Sequence, residues 1–225
     1  MPKPMTIAID GPGAVGKNTI GILLAKRLGH LFLDTGAMYR AMTWRALQLG
    51  IDLNDDEALT EMAADTEIDL MSSASDDGQC PVLVNGRDVS LETRSEEVER
   101  GVSLVSKVSG VRQAMVAKQR GLVGKGGVVM AGRDIGTVVL PDAELKIYLS
   151  ASPEERARRR YLELRERGKQ ANYDQVLADL RKRDKIDSER VEAPLRPADD
   201  ARIVNTDDLA VEQVLARIMD IVQAG

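Results

Sequence analysis

A glycine-rich segment near the N-terminus carries residues suited to phosphate binding. The sequence AIDGPGAVGKNTIG occupies residues 8–21 and contains the pattern G-x-x-x-x-G-K. Glycines permit backbone conformations that point several N–H groups inward, and a helix starting at the lysine adds partial positive charge. The lysine supplies a full charge for the β- and γ-phosphates. The segment predicts an ATP site formed by Gly11, Pro12, Gly13, Ala14, Val15, Gly16, Lys17, Asn18 and Thr19.

The residue after the lysine departs from the common pattern. Ser or Thr often follows the lysine and binds Mg²⁺ through its hydroxyl, but this chain has Asn18. Thr19 offers a hydroxyl one residue later, and Asn18 offers an amide oxygen. We therefore expect Mg²⁺ to accompany ATP, with Thr19 as one candidate ligand.

Basic residues are concentrated in the C-terminal half. Residues 154–190 hold twelve of the 31 Lys and Arg residues against nine acids, in a chain of net charge −5. An acidic protein is poorly suited to nucleic acid, which needs a basic face. The cluster predicts either a small, multiply charged anion as ligand or a solvated helix face.

The length and composition favour one domain. A chain of 225 residues with 43% hydrophobic residues can bury one core. It has a single cysteine, Cys80, so it has no intrachain disulfide. No apolar run approaches the ~20 residues of a membrane span. We expect a cytoplasmic protein with no membrane or nucleic-acid partner.

The predicted elements alternate between strands and helices. Short apolar runs predict strands at 5–10, 31–36, 126–136, 145–150 and 201–206. Helical spacing predicts helices after the strands at 5–10, 31–36, 145–150 and 201–206, and near 96–108 and 111–122. Asn85-Gly86 between alternating residues predicts a hairpin within a small antiparallel insert at 66–91. This order predicts an α/β fold with a mostly parallel sheet.

Several residues are predicted to begin helices. Asn54 with Glu57 is typical of a capping box, and Ser152 precedes a proline and a glutamate in the same way. The helix after Ser152 should end at Gly168, and the next should cover 173–184. Ser109 is expected to cap a helix near 111–122, and Asp207 or Asp208 is expected to cap the last helix.

Three motifs together resemble the bacterial cytidylate kinase family. They are Lys17-x-Thr19, LDTGAMYRA at 33–41 and GRDIGTVVLPDA at 132–143. Nucleoside monophosphate kinases typically carry G-K-G-T, so the missing hydroxyl at position 18 follows the family and only the asparagine is unusual. The resemblance implies a P-loop NTPase-type parallel β-sheet core flanked by helices. It also implies an enzyme that uses ATP with Mg²⁺ to convert CMP and dCMP to the diphosphates, as a monomer with only small-molecule substrates.

The resemblance also divides the single domain, 1–225, into three parts. The core would comprise about 1–35, 93–150 and 190–225, the acceptor-binding insert about 36–92, and a helical lid about 152–189. Arginines of the lid would cover the transferring phosphoryl group, whose charge is spread over its oxygens. The implied catalytic residues are Lys17, Arg133, Arg156 and Arg160, and Arg159 would contact ATP.

The acceptor site is implied by the same motifs. Arginines suit a monophosphate because they bind its oxygens in pairs. Cytosine offers an amino donor where uracil has a carbonyl, so a carboxylate at Asp134 would favour cytosine. The implied substrate-binding residues are Thr35, Tyr39, Arg40, Ser103, Arg112, Arg133, Asp134, Arg183, Asp187 and Arg190.

Two departures from the family bear on the metal and on the loop. The position before GRD is usually acidic in the family and is Ala131 here, which leaves Asp10 and Asp34 as further metal candidates. Ala14 and Val15 replace smaller residues in the loop. Two other hypotheses remain, a P-loop kinase for UMP, AMP or shikimate and a nucleotide-dependent switch with weak turnover.

Overall fold

A computed structural model of the chain describes residues 5–70, 81–124 and 126–224. Cys80 and the middle of the predicted insert lie outside these residues. No helix in the described ranges is long and apolar enough to cross a membrane.

Five parallel strands form the central sheet, in the order β2-β6-β1-β7-β8. Each strand follows a helix or precedes one, so parallel neighbours are joined by helical crossovers. The expected parallel α/β sheet is thus confirmed. The strands are β1 (Thr6–Asp10), β2 (Leu31–Asp34), β6 (Val128–Gly132), β7 (Leu145–Ser150) and β8 (Arg202–Asn205).

Helices cover both faces of this sheet. Successive residues of a strand point to opposite faces, so Ile7 and Ile9 pack in one hydrophobic cluster and Ala8 in another. Val214 and Ile218 of the last helix belong to the first cluster. The helices are α1 (Lys17–Leu28), α2 (Thr35–Gln48), α3 (Asp56–Asp65), α4 (Glu96–Lys107), α5 (Ser109–Gly121), α6 (Pro153–Glu166), α7 (Tyr173–Glu189) and α8 (Val211–Ala224).

A small antiparallel sheet occupies the predicted insert. Strands β3 (Ile68–Leu70), β4 (Val82–Val84) and β5 (Arg87–Asp88) pair in that order. Asn85 and Gly86 have φ values of 48° and 78°, as a tight two-residue hairpin requires. The hairpin predicted from Asn85-Gly86 is therefore confirmed.

Three of the predicted helix caps are wrong. The N-cap of α3 is Asp55, whose carboxylate accepts the N–H of Ala58, and not Asn54. Ser109 lies inside α5 and donates its hydroxyl to Glu192 instead of capping. The last helix begins at Val211, so neither predicted aspartate caps it. In each case the predicted residue lies next to the helix start, but other groups determine where that helix begins.

One predicted strand and one predicted helix end elsewhere. The strand expected at 126–136 ends at Gly132 and is followed by a π-helical turn, Ile135–Val139. The helix expected at 173–184 continues to Glu189. Ser152 does cap α6 as predicted, by accepting the N–H of Glu155, and Gly168 at φ 71° follows the helix end.

Candidate active site

The glycine-rich segment forms a tight loop between β1 and α1. Gly11 has φ 149°, and a Cβ there would lie 2.3 Å from the carbonyl oxygen of Leu149. Gly16 has φ 97° and is the N-cap residue of α1. Neither position suits a residue with a side chain. The local sequence therefore fixes a loop whose backbone leads directly into a helix N-terminus, the usual arrangement for phosphate binding.

The two unusual loop residues have different surroundings. Ala14 has φ 58°, in the left-handed region that glycine adopts more easily. Val15 is buried and packs with Ile9 and Ile20. Ala14 therefore adds local strain, whereas Val15 anchors the loop in the core.

Lys17 lies beneath the loop and is buried. Its ammonium group donates to the carbonyl oxygens of Gly11 and Pro12, at 2.8 and 2.7 Å. Burial, together with the positive charges of Arg133 and Arg183, lowers the pKa of Lys17 well below its usual value. An anion beside these three cations would offset this effect.

Asn18 contacts a carboxylate at the end of β2. Its amide Nδ2 donates to Asp34 Oδ2 at 2.7 Å, and Arg40 Nη2 donates to the same oxygen at 2.9 Å. Burial opposes ionisation of Asp34, but Arg40, Asn18 and Lys17 outweigh it and hold the pKa of this carboxyl below its usual value. Asp34 also caps α2 by accepting the N–H of Gly36. Asn18 and Asp34 thereby connect the phosphate loop to the helix that carries Arg40.

A buried ion pair occupies the predicted base-binding region. Arg112 Nη2 pairs with Asp134 Oδ2, and Arg190 Nη2 lies 3.6 Å from the other oxygen of Asp134. The guanidinium of Arg112 also lies 5.7 Å from the ring centroid of Tyr39. The structure thus brings together four predicted acceptor residues, from α2, α5 and the segments that follow β6 and α7.

Two further arginines lie close to these residues. Arg133 Nε donates to Asp187 Oδ2 at 2.9 Å. Arg183 is partly buried, and this desolvation and the charges of Arg133 and Arg40 lower its pKa to about 10 despite Asp187 and Glu99. Within the described residues, three buried atoms here have no hydrogen-bond partner: Arg183 Nε, Arg190 Nη2 and the Tyr39 hydroxyl. These donors are arranged for a ligand that is itself an acceptor.

A single cavity of about 700 Å³ joins the loop to the arginine cluster. Its volume lies in the usual range for small-molecule sites. It lies at the carboxyl ends of β1, β2 and β6, where open parallel sheets bind ligands. The predicted residues that line it are Gly13, Ala14, Val15, Gly16, Lys17, Asn18, Thr19, Asp34, Thr35, Tyr39, Arg40, Arg112, Arg133, Asp134, Arg160, Arg183, Asp187 and Arg190.

Two of the three arginines predicted on α6 do not line this cavity. Arg156 is buried and donates to the carbonyl oxygen of Gly13 at 3.1 Å and to both carboxylate oxygens of Asp184. Arg159 donates to the carbonyl oxygen and the hydroxyl of Thr206. Arg156 therefore connects the loop to α7, and Arg159 connects α6 to the end of β8.

The sequence also matches known proteins along nearly its whole length. The cytidylate kinase family model matches residues 7–224. The chain belongs to the cytidylate kinase family. A cytidylate kinase of Geobacillus thermodenitrificans is 53% identical over 222 residues, covering 99% of this chain and 98% of that protein. A cytidylate kinase of Bacillus velezensis is 50% identical over 223 residues, with the same coverage.

A solved structure agrees with the fold of this family member. An uncharacterised protein from Eubacterium ventriosum superposes with a TM-score of 0.52 at 11% identity, covering 99% of this chain and 100% of that one. At this identity the similarity concerns the fold alone. The family model and the 50–53% identical relatives confirm the family resemblance expected from the three motifs.

Several residues that line the cavity of this cytidylate kinase family member were not identified by any sequence motif. Ser103 is buried but does not line the cavity, whereas Ser106, one turn later on α4, does. Charged residues outside the three motifs also line it: Arg94, Glu99, Glu163 and Arg167. The helical pattern alone could not select them from other charged surface positions.

The metal candidates of this family member differ in how free their oxygens are. Both oxygens of Asp10 accept backbone N–H groups, of Ile135 and Gly136, each at 2.7 Å. Burial raises the pKa of Asp10 to about 6, although these two bonds lower it. Asp34 and Thr19 line the cavity beside Lys17. Both oxygens of Asp34 also accept hydrogen bonds, Oδ1 from Gly36 and Oδ2 from Asn18 and Arg40.

The oxygen donors at this end of the cavity fit Mg²⁺. In the parts of the chain that the structure covers, no group of three His, Cys, Asp or Glu side chains is arranged to hold a metal. Mg²⁺ usually binds one or two protein oxygens together with substrate phosphates and waters. Asp34 and Thr19 beside a phosphate loop match that description.

Proposed function

We propose that this chain catalyses transfer of the γ-phosphoryl group of ATP to CMP and dCMP, giving ADP and CDP or dCDP. One observation carries the proposal: a phosphate loop and a cluster of buried arginine donors line the same cavity. ATP would bind at the loop, and the acceptor monophosphate would bind at the arginines. The names of the 50–53% identical relatives support the cytidine acceptor.

Positioning and charge are the main contributions of the protein to this reaction. Lys17, Arg133 and Arg160 line the cavity and would stabilise charge on the transferring group. Mg²⁺, held with the phosphates by Thr19 and Asp34, would neutralise further charge. The acceptor phosphate is mostly deprotonated at neutral pH because its second pKa is about 6, so no dedicated base is required.

The acceptor would be oriented by residues on both sides of the arginine cluster. Arg40, Arg133 and Arg183 would bind its phosphate, and Thr35 and Asp187, which also line the cavity, would lie near the nucleoside. Asp134, with Arg112, Arg190 and Tyr39, would contact the base. A carboxylate accepts a hydrogen bond from the cytosine amino group and repels the uracil carbonyl, which accounts for a preference for cytosine.

The helices α6 and α7 would form the lid, within 152–189. Their arginines have separate roles in this proposal. Arg160 would reach the phosphoryl group, whereas Arg156 would act as a positioning residue through Gly13 and Asp184. Arg159 would support the ATP side through Thr206. We further propose that the insert, about 36–92, contributes to acceptor binding and that the enzyme acts as a monomer in the cytoplasm.

The test is a coupled ADP-release assay with Mg-ATP and CMP, dCMP, UMP, AMP or no acceptor. We expect strong turnover with CMP and dCMP only. Turnover confined to another acceptor would retain the kinase and reject the cytidine specificity. ATP binding without turnover for any acceptor would reject the kinase and favour a nucleotide-dependent switch.

A further inference from the structure

Glu99 contacts Arg160, the one of the three arginines predicted on α6 that lines the cavity. Arg160 Nη2 of α6 pairs with Glu99 Oε2 of α4, a residue 61 positions away in the sequence. The other terminal nitrogen of Arg160 donates to Glu163 on its own helix at 2.8 Å. Arg160 is thus held by two carboxylates, one from α4 and one from α6.

The two carboxylates hold the guanidinium of Arg160 relative to different helices. Glu163 lies three residues after Arg160, so it fixes the guanidinium only relative to α6. Glu99 lies on the helix that also contributes Ser106 to the cavity, so it fixes the guanidinium relative to the acceptor side. The main packing partner of α6 is α7, and α4 packs on α2, α5 and α7. The Glu99–Arg160 pair therefore links two helices, α4 and α6, that pack mainly against other elements.

The ion pair leaves Arg160 free to bind a phosphate. A guanidinium carries five N–H donors, and the two carboxylates face only its two terminal nitrogens. The Arg160 side chain is 18% exposed and that of Glu99 is 34% exposed, so both remain in contact with the cavity opening. A long arginine side chain loses much rotational freedom when it is held at both ends. Holding it before the substrates arrive would reduce the entropy lost in the transition state.

We propose that Glu99 is a positioning residue for Arg160, holding its guanidinium over the cavity from the acceptor side. This inference rests on the proposed function, in which Arg160 contacts the transferring phosphoryl group. The opposite interpretation is that Glu99 withholds Arg160 from the phosphates. The two interpretations predict opposite changes in kcat when the Glu99 charge is removed.

The experiment compares Glu99→Gln with the matched control Glu163→Gln. Both variants remove one carboxylate charge from Arg160, but only the first removes the link between α4 and α6. We expect Glu99→Gln to lower kcat about tenfold with the KM for ATP within about twofold of wild type. Glu163→Gln should keep kcat within about threefold of wild type. An unchanged or raised kcat in Glu99→Gln, or equal losses in the two variants, would overturn the proposal.

A double-mutant cycle shows whether the effect passes through Arg160. In an Arg160→Met background, Glu99→Gln should cause no further loss of kcat. A further tenfold loss in that background would mean that Glu99 acts by another route, which also overturns the proposal.

Hydrogen exchange supplies a measurement that does not depend on turnover. We expect faster amide exchange in α6 for Glu99→Gln than for wild type or Glu163→Gln. If wild type were inactive with every acceptor, the proposed function would fail while this comparison still decided whether Glu99 holds α6. Equal exchange in all three proteins would overturn the positioning role.

Discussion

The two ends of the cavity are built in different ways. The donor end is a loop of consecutive residues, and its shape comes from backbone angles at Gly11 and Gly16. The acceptor end is built from side chains on α2, α5, α7 and the segment after β6. A backbone site is fixed as soon as the local chain folds, whereas a side-chain site depends on correct packing of distant elements. Substitutions should therefore affect the two ends through different physical mechanisms.

The largest effect should come from Gly11→Ala at the donor end. A Cβ at Gly11 would lie 2.3 Å from the carbonyl oxygen of Leu149, so the loop must move. We expect kcat/KM for ATP to fall at least about 100-fold, because a displacement near 1 Å has this effect. The affinity for CMP alone, measured by calorimetry, should change little. Ala14→Gly, which only relaxes a residue at φ 58°, is the matched control and should retain activity. If Gly11→Ala lowered the affinity for CMP as much as kcat/KM for ATP, the conclusion that the two ends of the cavity are built independently would be contradicted.

The next largest effect should come from Asp10→Asn, where the two ends meet. Burial raises the pKa of Asp10 to about 6, above the ~3.9 of an unfolded chain, so the folded protein binds this proton more tightly. The contribution of Asp10 to stability is complete below pH ~4 and is lost as the pH rises to about 6. Relative to the variant, the wild-type free energy of unfolding should fall by roughly 2–3 kcal/mol between pH 4 and 7. Denaturant unfolding at several pH values measures this difference. If the free energies of unfolding of wild type and variant changed in parallel with pH, the raised pKa of Asp10 would be rejected.

A smaller effect is expected for Asp134→Asn at the acceptor end. The change removes the charge that would repel the uracil carbonyl, so the preference for CMP over UMP should narrow about tenfold. It also leaves Arg112 with a neutral partner, and some stability should be lost. Because both acceptors are measured on the same variant, the ratio of their kcat/KM values is independent of the folded fraction. An unchanged ratio would remove Asp134 from base recognition.

The smallest effect is expected for Asn18→Gly, which restores the residue typical of this group of kinases. The change removes the 2.7 Å hydrogen bond to Asp34, which also holds Arg40. We expect the KM for CMP to rise about threefold, because this bond is largely exposed, and the KM for ATP to stay constant. Steady-state kinetics with each substrate varied in turn measures both constants. A rise in the KM for ATP alone would assign Asn18 to the donor end instead.

The sequence was sufficient where structure depends on neighbouring residues. The start of α1, the Asn85-Gly86 hairpin and the Ser152 cap all follow from local backbone preferences. Two of the three wrong caps, at Ser109 and Asp207, involve partners far along the chain. Asp207 does not cap α8 but accepts the N–H of Ser152, which lies 55 residues away. Such pairings depend on tertiary packing, which spacing along the sequence does not report.

The difference between local structure and long-range pairing also applies within the candidate site. The strand predicted to reach Gly136 ends at Gly132, and Asp10, 125 residues before Ile135, accepts the N–H groups of the turn that follows. Arg156 fits the family pattern as a lid arginine, but its contacts lie beneath the loop. The motifs identified most residues of the cavity, whereas the contacts among them required the folded chain.

The partnerless donors of Arg183 and Arg190 have a consequence for how this protein is handled. Buried cationic donors without partners favour the binding of small polyanions. Sulfate or phosphate in a purification buffer would thus occupy part of the nucleotide's place, raising the melting temperature and competing with substrate at once. The choice of buffer salt would therefore change both the measured stability of this enzyme and its apparent affinity for substrate.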